Sequence, residues 1–353
     1  MLNLFQHLEF RSRNKFGMTL KMNWMIECLF GMIKKTAIFS LIFFIFIFFN
    51  YGFSQEIKSS QTELTSQQIS QKIWQEIVNL PKNKRPKIAV VLGGGGARGF
   101  AHIGVLQVFD EEQIPIDMVV GTSMGSLIGA LYSSGLKPIE IEKVLQEDKL
   151  KDFFRITIGS IFRLFFSEAM LDTNRVQDTI PKTIKNKKFY ELPIQFACVA
   201  TDIVTGEKVV LRDGDVADAV QASSAIPGIF EPVEYKQRYL VDGGIVDNIP
   251  VDVAKGLGAD IIIAVNIESD FTKHNLKKAI NMVFQITYIQ GQRLNTQMLK
   301  DADFVLTPDV NDVDVTDMDK KDEIIAKGKI EARKNIELIK EMITKKVLVS
   351  RIV

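Results

Sequence analysis

The sequence has 353 residues, 46% of them apolar, enough to bury one sizeable core with extensions, because single domains commonly run to roughly 250 residues. Lysine and arginine number 44 against 43 aspartate and glutamate, so no basic field covers the chain and nucleic acid is excluded as an expected partner. Two cysteines, Cys28 and Cys198, rule out a disulfide framework, and Cys198 in the run FACVA reads as a buried thiol.

Charge is uneven along the chain. Residues 1–54 hold 6 basic and 2 acidic residues, which leaves 38 and 41 for the remainder. Within that leader, Lys34 and Lys35 precede an apolar run over residues 37–49, and Gly52 and Ser54 offer a small-x-small cleavage site. That pattern predicts a signal peptide over residues 32–54, with translation starting at Met32, and a product that is exported, periplasmic or secreted, with an uncleaved anchor as the alternative; a membrane surface is expected as a partner. The apolar run is short for a span, which needs roughly 20 residues.

Residues 55–86 are polar and read as a linker containing one helix near residues 69–80. The character then changes. Residues 87–92 (KIAVVL) form a short β-branched run bounded by Pro and Gly, and similar runs recur at 116–120, 194–201 and 261–267. Continuous apolar strands separated by helical stretches predict an α/β fold, three layers deep, with a mostly parallel central sheet covered by helices on both faces. The catalytic domain is expected over residues 87–270. Residues 271–353 are expected as a helical extension packed on it, with helices over 276–299 and 320–343 and a strand-like piece at 303–306.

Three motifs carry chemistry. Residues 93–99 (GGGGARG) follow the first strand and can aim successive backbone amides into one concavity, an anion site for phosphate or an oxyanion. The spacing Gly94, Gly96, Gly99 also matches a dinucleotide loop, but that fold needs a ribose-binding acid at the end of the next strand, and here Asp117 opens that strand. Gly121-Thr122-Ser123-Met124-Gly125 is the second motif, placed between a strand and a helical run as a nucleophile elbow requires. Gly121 and Gly125 permit the sharp turn, and Ser123 is the candidate nucleophile. The third is Asp242-Gly243-Gly244, where a strand delivers an acid into a tight turn; alone it could be a plain β-turn. Of the three histidines, His7 lies in the leader, His274 in polar sequence after the last core strand, and His102 on the helix opened by the Gly loop, where it reads as structural.

A Gly-rich loop with Arg98, a G-x-S-x-G elbow and a late Asp-Gly-Gly, in that order, resemble the patatin-like phospholipase family. The likeness extends through residues 200–202, 222–228 and 247–250, covering roughly residues 87–270. It implies a Ser-Asp dyad with Ser123 as nucleophile and Asp242 as general base, and oxyanion donors among Gly94, Gly95 and Gly96. Arg98, Gly99, Gly121, Gly125, Gly243 and Gly244 complete the motifs. The activity implied is hydrolysis of an acyl ester in a phospholipid or related lipid, in lipid degradation, with no metal or organic cofactor. A lipid-binding scaffold with an idle dyad is the alternative. Some bacterial relatives continue into an outer-membrane barrel; no barrel is expected in this sequence. Finally, residues 153–166 (FFRITIGSIFRLFF) combine five Phe with two Arg and are expected to cap the site, touch a bilayer interface or pack in the core.

Overall fold

The computed structural model describes residues 66–145, 182–227, 230–268, 282 and 298–350. The leader, residues 153–166, His7, His274 and most of the helix expected over 276–299 lie outside them. The chain divides into two compact units, Ser70–Thr344 and a second made of Met1–Ile69 with Lys345–Val353. The sheet and the candidate site belong to the first.

Among the described residues the sheet has eight strands, linked by hydrogen bonds along the path β5-β6-β3-β2-β1-β7-β8, with β4 paired to β3 off that path. They are β1 (Ile88–Leu92), β2 (Met118–Thr122), β3 (Gln195–Asp202), β4 (Lys208–Leu211), β5 (Val233–Tyr235), β6 (Arg238–Asp242), β7 (Ile261–Val265) and β8 (Phe304–Leu306). From β3 to β8 along the path all neighbours run parallel, whereas β4, β5 and β6 are antiparallel additions. Every residue of β1, β2 and β7 is buried, which is why those strands read as unbroken apolar runs rather than alternating ones. Each face has its own cover. Ala89, Val91, Met118, Val120, Ala197 and Val199 pack with Ile249, Val251 and Ala254, at the start of helix Val251–Gly256. On the other face Gly129, in helix Met124–Ser133, brings that helix against Val119, Phe196 and Leu92.

One strand is shifted at both ends from its expected bounds for a physical reason. Strand β2 starts at Met118 rather than residue 116, because Asp117 turns its carboxylate inward: it accepts the Ile88 amide at 3.0 Å and pairs with the Arg85 guanidinium, Nη2 to Oδ1 at 2.9 Å. The strand instead continues through Thr122, since Leu92 and Gly121 are register partners. This places Asp117 at the opposite end of the sheet from the Gly loop. It cannot serve a ribose there, and the dinucleotide spacing is coincidental.

Helix Ser66–Val78 falls inside the stretch read as a linker, and its Trp74 and Ile77 are buried, with Trp74 Nε1 donating to the Glu112 carbonyl at 3.1 Å. The long helix Lys321–Ser350 meets helix Phe100–Glu111 at two glycines. A Cβ on Gly104 would lie 2.0 Å from the Ile325 carbonyl oxygen, and one on Gly328 would lie 2.0 Å from that of Ala101. In an exposed helix Gly→Ala gains roughly 0.5–1 kcal/mol, but overpacking a close contact costs about 1–3 kcal/mol. Gly104→Ala and Gly328→Ala are therefore each expected to lower the melting temperature, and an unchanged or higher value would mean that the two backbones can move apart freely.

Candidate active site

The meeting of Ser123 and Asp242 follows from sheet register. Strand β3 pairs β4 over residues 198–201, β2 over 195–199 and β6 over 200–202. Where β4 and β2 both pair they must occupy opposite edges of β3, and the same holds for β4 and β6. Strands β2 and β6 therefore lie end to end on one edge. Thr122 pairs with Val199 and Asp242 with Ala200, so the chain leaves the sheet at Ser123 where β6 delivers Asp242 on the next rung.

Ser123 has φ 54° and ψ −124°, a left-handed conformation that a residue with a side chain adopts at a cost of about 1–3 kcal/mol. The surroundings impose it. A Cβ on Gly121 would lie 2.4 Å from the Gly125 carbonyl oxygen, and one on Gly125 would lie 2.1 Å from that of Leu92. The strained turn is also held by a residue 100 positions away, since Ser223 Oγ accepts the Ser123 amide at 3.0 Å and donates to the Val199 carbonyl at 2.7 Å.

Asp242 is tied at each of its polar groups. Its amide donates to the Ala225 carbonyl at 2.9 Å, its carbonyl accepts the Thr201 hydroxyl at 2.9 Å, and Oδ1 accepts the Gly244 amide at 2.8 Å. The Ser123 side chain faces the same carboxylate and favours its charged form. Burial raises its pKa to about 6, against the opposing pull of the Ser123 and Gly244 hydrogen bonds. Gly243 passes so close to the sheet that a Cβ there would lie 2.3 Å from the Val199 carbonyl oxygen.

In the Gly loop the three candidate amides are not equivalent. Gly94 donates to the Asn248 carbonyl at 3.2 Å, so its N–H is already used. The amides of Gly95 and Gly96 have no acceptor among the described residues. Gly96 has φ 57°, and a Cβ there would lie 2.5 Å from the Val315 carbonyl oxygen. That neighbouring segment anchors the loop: Ala97 donates its amide to Val315 at 2.8 Å, and buried Arg98 donates Nε to the Val313 carbonyl at 2.8 Å. Gly99 leaves room for Met124, whose Cγ would be 2.2 Å from an added Cβ.

His102 is fully buried and its Nε2 lies 2.7 Å from the Gly93 carbonyl oxygen. A carbonyl only accepts, so Nε2 carries the proton. Burial lowers the ring's pKa to about 4, which keeps it neutral at pH 7, and its role is to brace the loop. Among the described residues no cluster of His, Cys, Asp or Glu could hold a metal ion, and no helix is long and apolar enough to cross a membrane.

Sequence reasoning missed the residues that hold the site together from a distance. Ser223 and Asn248 stand in the segments 222–228 and 247–250, visible beforehand only as family likeness, and no local pattern states what they bond.

The patatin-like phospholipase family model matches residues 90–255, from β1 through the Asp-Gly-Gly turn. Residues 90–255 are a patatin-like phospholipase domain. Over 190 residues the chain is 34% identical to an uncharacterized NTE family protein of Mycobacterium tuberculosis, which covers 52% of this chain and 49% of that one. A lysophospholipase of Aspergillus fumigatus is 36% identical over 187 residues, 52% of this chain and 12% of that one. Mouse patatin-like phospholipase domain-containing protein 6 is 34% identical over 184 residues, 52% and 14%. This chain thus spans about half the length of the mycobacterial relative. Human GIVD cytosolic phospholipase A2 superposes with a TM-score of 0.48 at 9% identity, covering 79% of this chain and 63% of that one, a likeness too distant to argue from.

Proposed function

We propose that the patatin-like domain is a serine hydrolase of lipid acyl esters, working through a Ser123–Asp242 dyad. The observation that carries this reading is the pairing of Thr122 and Asp242 with consecutive residues of β3, which sets a strained serine against a desolvated carboxylate. Asp242 takes the Ser123 proton as Oγ attacks the ester carbonyl, and the Gly95 and Gly96 amides receive the oxyanion. The alcohol leaves with that proton. Water, activated by the same aspartate, then cleaves the acyl-enzyme. A phospholipid or lysophospholipid substrate agrees with the names of the family and of the Aspergillus relative. The proposal extends to action at a membrane surface and to export through residues 32–54, which N-terminal sequencing of the native protein tests.

A fluorophosphonate probe, which needs an activated serine and an oxyanion pocket, is expected to label the full chain once. Peptide mapping should place the label on Ser123, and Ser123→Ala should abolish both label and ester turnover. Turnover that survives in Ser123→Ala would sink the reading.

A further inference from the structure

The segment after Asp242 does more than close a turn. Asp247 donates its amide to the Gly243 carbonyl at 2.9 Å, and its own carbonyl accepts the Thr122 hydroxyl at 3.0 Å, one residue before the candidate nucleophile. Lys208 Nζ holds the Asp247 carboxylate at 2.9 Å. The next residue, Asn248, is 5% exposed and grips Gly94 at two points. Its carbonyl accepts the Gly94 amide at 3.2 Å, and its side-chain Nδ2 donates to the Gly94 carbonyl at 3.3 Å. The fit is close on both sides. A Cβ on Gly94 would lie 2.6 Å from Asn248 Oδ1 and 3.1 Å from Ser123 Cβ, while one on Gly244 would lie 3.1 Å from Asn248 Oδ1 and 3.2 Å from Asp242 Oδ1. The Asn248 amide therefore sits where the Gly loop, the nucleophile and the base converge.

We infer that Asn248 is a positioning residue: by binding both polar groups of Gly94 it sets the distance between the Gly95 and Gly96 amides and Ser123, an inference that rests on the proposed acyl hydrolysis. The chemistry suits the place. A carboxylate here would repel Asp242 and a developing oxyanion, and a cation would pair with Asp242 and weaken it as a base. A neutral amide supplies the donor that the Gly94 carbonyl requires without adding charge. The main-chain half of the grip survives any substitution, whereas the side-chain half is removed together with the longer bond, 3.4 Å, that Nδ2 donates to Glu268 Oε1.

The test uses the full chain and a soluble short-chain p-nitrophenyl ester, which removes any interfacial step. A misplaced donor weakens the transition state far more than the bound ester, so Asn248→Ala is expected to lower kcat roughly 10- to 100-fold with KM changed by no more than about twofold. Asn248→Asp, which keeps the size but loses the donor and adds charge, should fall at least as far. A trifluoromethyl ketone that forms a charged hemiketal on Ser123 should lose affinity in proportion to kcat/KM, a readout that a purely structural role would not move. A folded Asn248→Ala with wild-type kcat, or a kcat loss that the ketone affinity does not follow, would overturn the inference. If Asn248→Ala does not fold, Asn248→Asp decides by the same ratio. Absence of wild-type turnover and of Ser123 labelling would defeat the hydrolase reading and this inference with it, whereas unaffected Asn248 variants of an active enzyme defeat the positioning role alone.

Discussion

Asp242→Asn is expected to lower kcat on a soluble ester by at least roughly 10²- to 10⁴-fold, the usual worth of general-base assistance, and at the same time to raise thermal stability at neutral pH. The two effects share one cause. Burial lifts the carboxyl pKa from 3.8 to about 6, so the native state binds the Asp242 proton more tightly than the unfolded chain does. Such a group contributes stability that is complete below pH 3.8 and lost as the pH rises through 6. At pH 7 the wild type therefore carries an ionised, desolvated carboxylate at a cost of up to about 3 kcal/mol, taking 1.36 kcal/mol per pKa unit. Asparagine keeps an acceptor for the Gly244 amide and does not ionise. Its melting temperature should exceed that of the wild type at pH 7, and the two should converge near pH 3.5. The same ionisation sets the acid limb of kcat/KM near pH 6, falling toward low pH as the base is protonated. His102→Gln is expected to keep most of the activity, since the His102 ring braces the Gly93 carbonyl and is assigned no proton transfer. A well-folded His102→Gln as inactive as Asp242→Asn would replace the dyad with a histidine mechanism.

The second large effect is on stability alone. Arg85 and Asp117 form a two-pronged ion pair whose side chains are 5% and 6% exposed, and Asp117 also caps the amide of Ile88 at the start of β1. Asp117→Leu strands a buried guanidinium, and breaking one side of a buried pair typically costs about 3–5 kcal/mol. For a unit of this size that corresponds to a fall of roughly 6–20 °C in melting temperature. Removing both charges is far milder, because the desolvation of the cation goes with its partner. Arg85→Met with Asp117→Leu should recover most of the loss, leaving about 1 kcal/mol for the uncapped Ile88 amide. A double variant no more stable than Asp117→Leu would mean that the pair's worth lies in packing rather than in charge.

The parallel half of the fold was legible because its signals are local. A strand buried on both faces must be apolar throughout, and the runs at 87–92 and 261–267 correspond to β1 and β7. The antiparallel strands β4 and β5 were not legible: they are four and three residues long and partly exposed, so no periodicity marks them. The strand over 116–120 proved displaced toward the elbow because Asp117 is spent on Arg85, 32 positions away.

The sequence by itself determined the elements whose geometry is decided within a few residues. The elbow at Ser123 is one, since a Cβ on Gly121 would strike the Gly125 carbonyl inside a single turn, although the matching close approach at Gly125 is to Leu92 of β1. The Asp242 turn is another, with the Gly244 amide bound to the carboxylate two residues before it. Only the tertiary structure decided which of these elements meet and in what chemical state. Strand register along β3 places Thr122 and Asp242 on adjacent residues, and Asn248, 154 positions from Gly94, removes one of the three candidate oxyanion amides by bonding it. Desolvation then raises the pKa of an ordinary aspartate to about 6. Register, burial and long-range hydrogen bonds depend on what lies beside a residue in space, and a linear pattern does not contain that information.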